Sequence, residues 1–226
     1  MHQPSLLARH SRTPLTTQQR FARCAILSAV LFGAAAPRIE AQELAGAALV
    51  QQLRAGGYVL VMRHARSPAT LPDAHSADPG NPAHERQLDD SGKSSARAMG
   101  EALQQLHIPI AQVWTSPTFR ALQTVKLAGL QAPKVVQQLG DAGQGMKADD
   151  NGSRSAWLHN AVATVPPSGY NIVIVTHMPN IIGAFGQGLS GLSDGESLLF
   201  RPDGHDGASI VARIKIDQWP QLASLR

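Results

Sequence analysis

Histidine and arginine side chains follow three strand-like stretches of the sequence. Arg63 and His64 come directly after the first stretch, Arg120 follows the second by five residues, and His177 comes directly after the third. The arginine guanidinium is a planar fork of donors that matches phosphate oxygens and stays charged at physiological pH. A neutral imidazole can act as a nucleophile, and neighbouring cations favour its neutral form. These residue types are therefore suited to phosphoryl transfer through a covalent histidine.

The stretches that precede these residues are typical of buried strands. They span residues 58–62, 110–115 and 171–176; the first is a continuous apolar run, and the third is the clearest buried strand in the chain. Helical patterns separate them, and this alternation predicts an α/β fold, a three-layer sandwich with a mostly parallel central sheet and helices on both faces. Ligands of such sheets bind beyond the carboxyl ends of the strands, so the two histidines and two arginines should meet at one edge.

The remaining elements follow from the same patterns. Apolar residues recur at helical spacing in four segments, 44–53, 91–106, 119–130 and 154–165. Three more short strands are expected at 134–137, 198–201 and 209–216, the last two as an antiparallel pair at a sheet edge. Ser116 is expected to cap the helix that contains Arg120. The loops 67–90 and 140–153 are longer than usual connections, which favours a functional role for them.

Four short motifs resemble those of the histidine phosphatase superfamily, the phosphoglycerate mutase-like proteins. Val59–Ala65 resembles the Arg-His-Gly/Ala signature, and Thr115–Thr124 resembles the motif Ser-Ser-Pro-x-x-Arg-Ala-x-Gln-Thr. Leu88–Gly92 is similar to the Leu-x-x-x-Gly helix start, and Val175–Asn180 to the strand end that carries the second histidine. The motifs occur in the family's order, and the resemblance covers roughly residues 55–216.

The resemblance implies a role for each matching residue. His64 would be the phosphorylated nucleophile, and Arg63, Arg120 and His177 would complete the phosphate pocket. Thr70, seven positions after the first arginine, would also touch phosphate, as in mutase-like members. Family members act on phosphomonoesters and need no metal, so the resemblance implies a small-molecule phosphomonoester substrate and no cofactor.

Two departures from the family pattern bear on the proton donor. Arg66 stands where mutases carry an acidic residue, which disfavours mutase-type chemistry, and Met178 stands where the phytase and acid-phosphatase branch has an aspartic acid that donates the proton. A leaving alkoxide still needs a proton unless its own pKa is low. Asp141 is the favoured candidate and Glu196 the alternative. A protein like the phosphohistidine phosphatases would need less help from an acid.

The long loop 67–90 is expected to cover the substrate or to set specificity. Arg86 is the loop residue that we most expect to contact substrate, and an ion pair on the surface is the alternative. The histidines and aspartates of the loop fit no recognised metal-ligand spacing, so no metal is expected. The sequence thus predicts a metal-independent phosphomonoester hydrolase that acts through phospho-His64. A catalytically weak module that binds a phosphorylated ligand and a phosphomutase are the alternatives.

The first 41 residues differ in composition from the rest. Basic residues precede an apolar stretch at 24–36, and small residues surround Ala41, which is the plan of a secretory signal peptide. Residues 42–226 would then be the catalytic domain, periplasmic or secreted, with no stable membrane insertion. Without the leader, acidic and basic residues are equal in number, so the high pI indicates no nucleic-acid partner. The only cysteine, Cys24, lies in the leader, and the sequence leaves the oligomeric state open.

Overall fold

A computed structural model describes residues 45–68, 81–141 and 152–225 of the chain. The six helices of these residues are α1 Gly46–Ala55, α2 Asp90–Gln105, α3 Phe119–Leu127, α4 Ser153–Ala161, α5 Met178–Phe185 and α6 Gln218–Ser224. The six strands are β1 Val59–Arg63, β2 Ile110–Thr115, β3 Lys134–Val135, β4 Asn171–Thr176, β5 Ser197–Pro202 and β6 Ala208–Ile214. The predicted signal peptide lies outside the described residues, as does Thr70. No helix in the described ranges is long and apolar enough to cross a membrane.

The strands form one six-stranded sheet in the order β3-β2-β4-β1-β5-β6. The first four of these strands pair in parallel, whereas β5 and β6 pair antiparallel at one side. Alternate residues of β1 point to opposite faces, and each face carries its own apolar cluster: Leu60 and Met62 pack with α1, α2, α3 and α6, whereas Val59 and Val61 pack with α4 and α5. The predicted three-layer α/β fold with a mostly parallel sheet is confirmed.

The central position of β1 and β4 explains why the interior residues of both are apolar. They pair with each other in register from Val59–Ile172 to Arg63–Thr176, and every residue of β4 is buried. Their carboxyl ends therefore lie side by side. The β3 strand is shorter than the sequence predicted, because the chain turns into a 3-10 helix at Gln137–Leu139. Neither α5 nor α6 was anticipated from the sequence.

The start of α2 closes on the segment that follows β1. Asp89 caps the helix by accepting a hydrogen bond from the Gly92 backbone at 2.7 Å, and its own backbone N–H donates to the Arg66 carbonyl at 3.2 Å. A Cβ on Gly92 would collide with the Arg66 carbonyl. The glycine of the Leu-x-x-x-Gly motif is thus required for a close backbone approach that fixes the residues just beyond His64.

Candidate active site

Three strand ends deliver the four predicted pocket residues to one place. Arg63 is the last residue of β1 and His64 follows it, Arg120 lies in the first turn of α3 after β2, and His177 precedes α5 at the end of β4. Their side chains are enclosed: Arg120 is 0% exposed, His177 1% and His64 4%. The two imidazole rings have centroids 5.1 Å apart. The structure therefore brings together the residues that the topology predicted to converge.

The hydrogen bonds of His64 define its tautomer. Its Nδ1 lies 2.8 Å from the Ala65 carbonyl, which can only accept, so Nδ1 carries the proton. Its Nε2 accepts a hydrogen bond from Arg120 Nε at 3.1 Å and so presents a lone pair. Burial and then the Arg120 charge lower the pKa of His64 to about 3. His64 is therefore a neutral imidazole at neutral pH, with Nε2 as its nucleophilic atom.

His177 is neutral for the same reasons but has the opposite tautomer. Its Nδ1 lies 3.2 Å from Arg120 Nη2, a group that only donates, and its Nε2 lies 2.8 Å from the Ser116 hydroxyl oxygen. Nε2 therefore carries the proton and donates to Ser116. Burial, followed by the Arg120 charge, holds the pKa of His177 well below its usual range. In this arrangement Nδ1 must gain a proton before it can donate to a phosphoryl oxygen.

Arg120 is the centre of the site. Besides the two histidines, it contacts Asp141, with Nη2 at 2.5 Å from Oδ2, while its Nη1 is buried without a partner in the described part of the chain. Burial lowers its pKa to about 10. The first turn of α3 is held against the β1 end because Thr124 accepts from the Ala65 N–H at 3.1 Å and donates to the Arg120 carbonyl at 2.8 Å. This explains the threonine of the second motif.

Arg63 is held by the segment that precedes β5. Its Nη1 donates to the Leu192 carbonyl at 2.9 Å, and its Nη2 lies 2.7 Å from Asp194 Oδ1. Its Nε is buried and, among the described residues, has no partner. The pocket thus contains two buried guanidinium donors, Arg63 Nε and Arg120 Nη1, that no described protein group satisfies. Buried donors of this kind are costly unless an acceptor reaches them.

Asp141 and Arg86 complete the electrostatics of the pocket. The Asp141 carboxyl lies 3.8 Å from His177 Nδ1, and burial raises its pKa although the Arg120 and Arg86 charges oppose the rise. Arg86 donates to the Ser67 carbonyl at 2.7 Å and to the Pro68 carbonyl at 2.9 Å. Its charge contributes to the lowered pKa of both histidines.

Comparison with known proteins agrees with this geometry. A sequence model described as the histidine phosphatase superfamily (branch 1) matches residues 59–142, the segment that contains Arg63, His64, Arg120 and Asp141. This segment is therefore similar to the histidine phosphatase superfamily. Among curated proteins no match to the sequence was found.

Solved structures share the histidine phosphatase fold. The protein histidine phosphatase SixA complexed with tungstate is 19% identical with a TM-score of 0.51, over 71% of this chain and 98% of that one. A putative phosphohistidine phosphatase SixA from Agrobacterium tumefaciens is 15% identical, with a TM-score of 0.47 over 70% and 97% of the two chains. A phosphoserine phosphatase from Entamoeba histolytica with 3-phosphoglyceric acid is 14% identical, with a TM-score of 0.43 over 69% and 95%.

The side chain of Glu196, the alternative proton donor, contacts other groups. Its Oε1 accepts hydrogen bonds from Arg213 Nε and Nη2, both at 2.8 Å, and its Oε2 accepts from the Ser193 backbone at 2.8 Å. Its carboxyl therefore makes no described contact with a pocket side chain, whereas the Asp141 carboxyl contacts Arg120 and lies near His177.

Sequence reasoning also missed several contacts around the pocket. Thr118, not Ser116, precedes α3 as its N-cap residue, while Ser116 accepts from His177 and from the Thr118 backbone at 3.2 Å. The Glu85 carboxylate accepts from the Phe119 backbone at 2.6 Å at the start of the same helix. Ser116, Thr118 and Glu85 all lie in the segment that the family model matches. Periodicity and residue type did not indicate these contacts. In the described ranges, no group of three or more His, Cys, Asp or Glu residues could hold a metal ion.

Proposed function

We propose that this protein is a phosphomonoester hydrolase that works through a phosphohistidine on His64 and uses no metal. The observation that carries the proposal is a neutral imidazole whose Nε2 lone pair faces the Arg120 guanidinium, in a pocket with two buried guanidinium donors that no described group satisfies. Displacement of the Arg120 Nε–H bond by the phosphoryl group frees this lone pair for attack. A phosphoryl group supplies the acceptors that Arg63 Nε and Arg120 Nη1 lack. The same donors stabilise the charge that develops on its oxygens during transfer.

The first step forms the phosphoenzyme. His64 Nε2 attacks phosphorus, a P–N bond forms, and the bond from phosphorus to the ester oxygen breaks with its electron pair on that oxygen. Asp141 donates the proton that converts the leaving alkoxide to an alcohol. Its raised pKa and its position beside Arg120 and His177 support this assignment.

The second step returns the enzyme to its starting state. A water molecule attacks the phosphohistidine, and Asp141, now a carboxylate, accepts the proton of that water. The P–N bond breaks with its electrons on Nε2, and inorganic phosphate leaves. The Nδ1–Ala65 hydrogen bond keeps the proton on the opposite ring nitrogen throughout, so Nε2 remains the reacting atom in both steps.

Arg86 is proposed as a further contact to the phosphoryl group or to the adjacent part of the substrate. Two backbone carbonyls hold its guanidinium, and burial lowers its pKa, so it is a partly buried cation within the field of both histidines. We also propose that the enzyme acts outside the cytoplasm, periplasmic or secreted, and this proposal is supported by the signal-like composition of residues 1–41.

The experiment replaces His64 with Ala and measures phosphate release from an aryl phosphate. We expect a loss of at least about a thousandfold, because a nucleophile has no substitute in this mechanism. Brief incubation with substrate labelled on phosphorus should yield an acid-labile, base-stable label on the wild-type protein and none on His64→Ala. His205→Ala, at an exposed histidine, is the matched control.

Three results would separate the alternatives. Phosphate release by His64→Ala at the wild-type rate would refute the mechanism. Binding of inorganic phosphate without any turnover would indicate a module that binds a phosphorylated ligand. Transfer of the label to an added sugar phosphate in preference to water would indicate a phosphomutase.

A further inference from the structure

The two pocket arginines are held in different ways. The Arg120 guanidinium contacts groups of the reaction itself, namely His64, His177 and Asp141. The Arg63 guanidinium is instead held from outside, by the Leu192 carbonyl on Nη1 and by the Asp194 carboxylate on Nη2. The Leu192 contact is a hydrogen bond, whereas the Asp194 contact is an ion pair in which Oδ1 makes no hydrogen bond to a described group. Nε is the buried donor of Arg63 that no described group satisfies.

The turn 193–196 that carries Asp194 is closed on itself and tied to β1. The Glu196 N–H donates to the Ser193 carbonyl at 3.2 Å, while the Glu196 side chain accepts from the Ser193 N–H at 2.8 Å. The turn reaches the strand end through two more backbone bonds, from Arg63 N–H to the Glu196 carbonyl at 3.1 Å and from Gly195 N–H to the His64 carbonyl at 3.0 Å. Asp194 is therefore fixed relative to Arg63, at the end of β1, and to His64, which follows it.

Glycine is required within this turn. Gly195 has a φ of +74°, a conformation that other residues adopt with strain. A Cβ at this position would also collide with the Ile216 side chain. The tight turn and its close packing are what allow the Asp194 side chain to reach the Arg63 guanidinium.

The other end of the turn is anchored in the antiparallel part of the sheet. Both Nε and Nη2 of Arg213, on β6, donate to Glu196 Oε1 at 2.8 Å. The Glu196 carboxylate is buried, and its second oxygen closes the turn, so one side chain links β6 to the segment that holds Arg63. Because two nitrogens of Arg213 converge on one oxygen and the Ser193 N–H takes the other, the direction of the Glu196 carboxylate is defined.

We propose that Asp194 is a positioning residue for phosphoryl binding, held in place by the Glu196–Arg213 pair, and that it orients Arg63 so that Nε is presented to the phosphoryl group. This inference rests on the proposed function. Asp194 fixes the end of a side chain that otherwise has several rotatable bonds, and a donor that is already oriented loses less entropy on binding.

The charge of Asp194 alone would have the opposite effect. A carboxylate in the field of the pocket disfavours an incoming anion, and this carboxylate acts on Arg86 as well as on Arg63. Its removal should therefore strengthen phosphate binding if charge were its whole contribution. The sign of the change in affinity distinguishes orientation of Arg63 from simple neutralisation.

The test compares Asp194→Ala and Asp194→Asn with the wild-type enzyme, using inorganic phosphate affinity and steady-state kinetics on an aryl phosphate. We expect Asp194→Ala to weaken phosphate binding and raise KM by roughly tenfold, the order of one charge-assisted hydrogen bond, with a smaller change in kcat. Asp194→Asn keeps the shape of the side chain and an oxygen at the same place. Its phosphate affinity should therefore lie between those of the wild-type enzyme and Asp194→Ala. Asp90→Asn, which removes an exposed carboxylate paired with Lys93, is the matched control.

Phosphate binding by Asp194→Ala that is as tight as in the wild type, or tighter, would overturn the proposal, as would equal losses in both variants. Glu196→Gln provides an independent check, because its effect on KM should have the same direction as that of Asp194→Ala and be smaller. A decrease in the thermal midpoint of Glu196→Gln with KM unchanged would contradict the link to Arg63. A wild-type protein that neither binds phosphate nor turns over would instead refute the proposed function.

Discussion

Two arginine–carboxylate pairs, Glu196–Arg213 and Arg120–Asp141, lie near different parts of the same sheet. They differ in how many of their hydrogen-bonding atoms have a partner. At the antiparallel side, Glu196 has both oxygens occupied, one by two nitrogens of Arg213 and one by a backbone N–H. At the parallel side, Arg120 divides its donors among two histidine nitrogens and Asp141, and keeps one buried nitrogen without a described partner. We call the Glu196–Arg213 pair closed, because the carboxylate has both oxygens occupied. We call the Arg120–Asp141 pair open, because Arg120 keeps a donor without a described partner.

The difference shows how a structural ion pair can be told from a binding site. A buried pair whose donors and acceptors match leaves nothing for a ligand, and its contribution is to fix the local geometry. A cluster with excess cationic donors keeps an unfavourable desolvation energy that a suitable anion can offset. Counts of charged residues do not separate the two cases, but a census of partners for each polar atom does.

The largest expected effect comes from the open pair. Arg120→Ala should reduce kcat/KM for an aryl phosphate by about a thousandfold, since it removes the donors to the phosphoryl group and the cation beside His64. Arg120→Lys keeps a charge but loses the planar fork, so a loss of about a hundredfold is expected. Arg213→Lys, the same change in the closed pair, should lower stability to urea and change kcat by only a small factor. Near wild-type activity of Arg120→Lys would show that the fork is dispensable.

The next prediction concerns Asp141 and the leaving group. Asp141→Asn should slow hydrolysis of alkyl phosphates by about a hundredfold, because general acid catalysis is lost, and should affect aryl phosphates much less. The raised pKa of Asp141 predicts that the rate on alkyl phosphates falls as pH rises and the acid ionises, at a pH above the usual carboxyl range. Pre-steady-state rates over a pH series measure both effects.

The matched substitution for this test is Glu196→Gln, in the closed pair. It should show no dependence on the leaving group, since its carboxylate is held by Arg213 and Ser193. If Glu196→Gln reproduced the selective loss on alkyl phosphates and Asp141→Asn did not, the assignment of the acid would be reversed.

The open pair could be predicted from sequence because local signals determine it. Each of its main residues follows an apolar strand or begins a helix, and the rule that parallel strands present their carboxyl ends together is sufficient to gather them. Even the tautomer of His64 depends on the carbonyl of the adjacent Ala65. For this part of the fold, chain-local patterns and one topological rule contain most of the information.

The closed pair could not be predicted in the same way. Glu196 stands just before a strand, and a carboxylate in that place is compatible with either a catalytic or a structural role. The orientation of the Glu196 carboxylate is decided by Arg213 on β6. The pairing of β6 with β5 shifts in register between Leu199 and Phe200. Asp194 escaped notice for a similar reason, since its partner Arg63 lies more than a hundred residues earlier in the chain. Long-range register is invisible to periodicity and motif spacing.

The smallest expected effect separates the two regions by pH. The pKa of His64 is about 3 in the folded protein and its ordinary value is 6.5, so below pH 6.5 the unfolded chain binds a proton that the folded one does not. Stability should therefore fall as pH drops from 6.5 towards 3, by up to about 1.4 kcal/mol per pH unit for each such histidine. His177 contributes in the same direction.

His64→Asn isolates one of these contributions, because an amide can still donate to the Ala65 carbonyl but does not titrate. Urea titrations between pH 4 and 6.5 give the slope of the free energy of unfolding against pH. In His64→Asn this slope should decrease by the amount that corresponds to uptake of up to one proton on unfolding. His205→Asn controls for the loss of an exposed histidine. Arg213→Lys should lower the free energy of unfolding at every pH between 4 and 6.5 and leave its slope against pH unchanged. An unchanged slope in His64→Asn would mean that the folded protein binds a proton on His64 as readily as the unfolded chain does. The neutral form would then not be favoured by the Arg120 charge and burial, contrary to what the open pair was inferred to do.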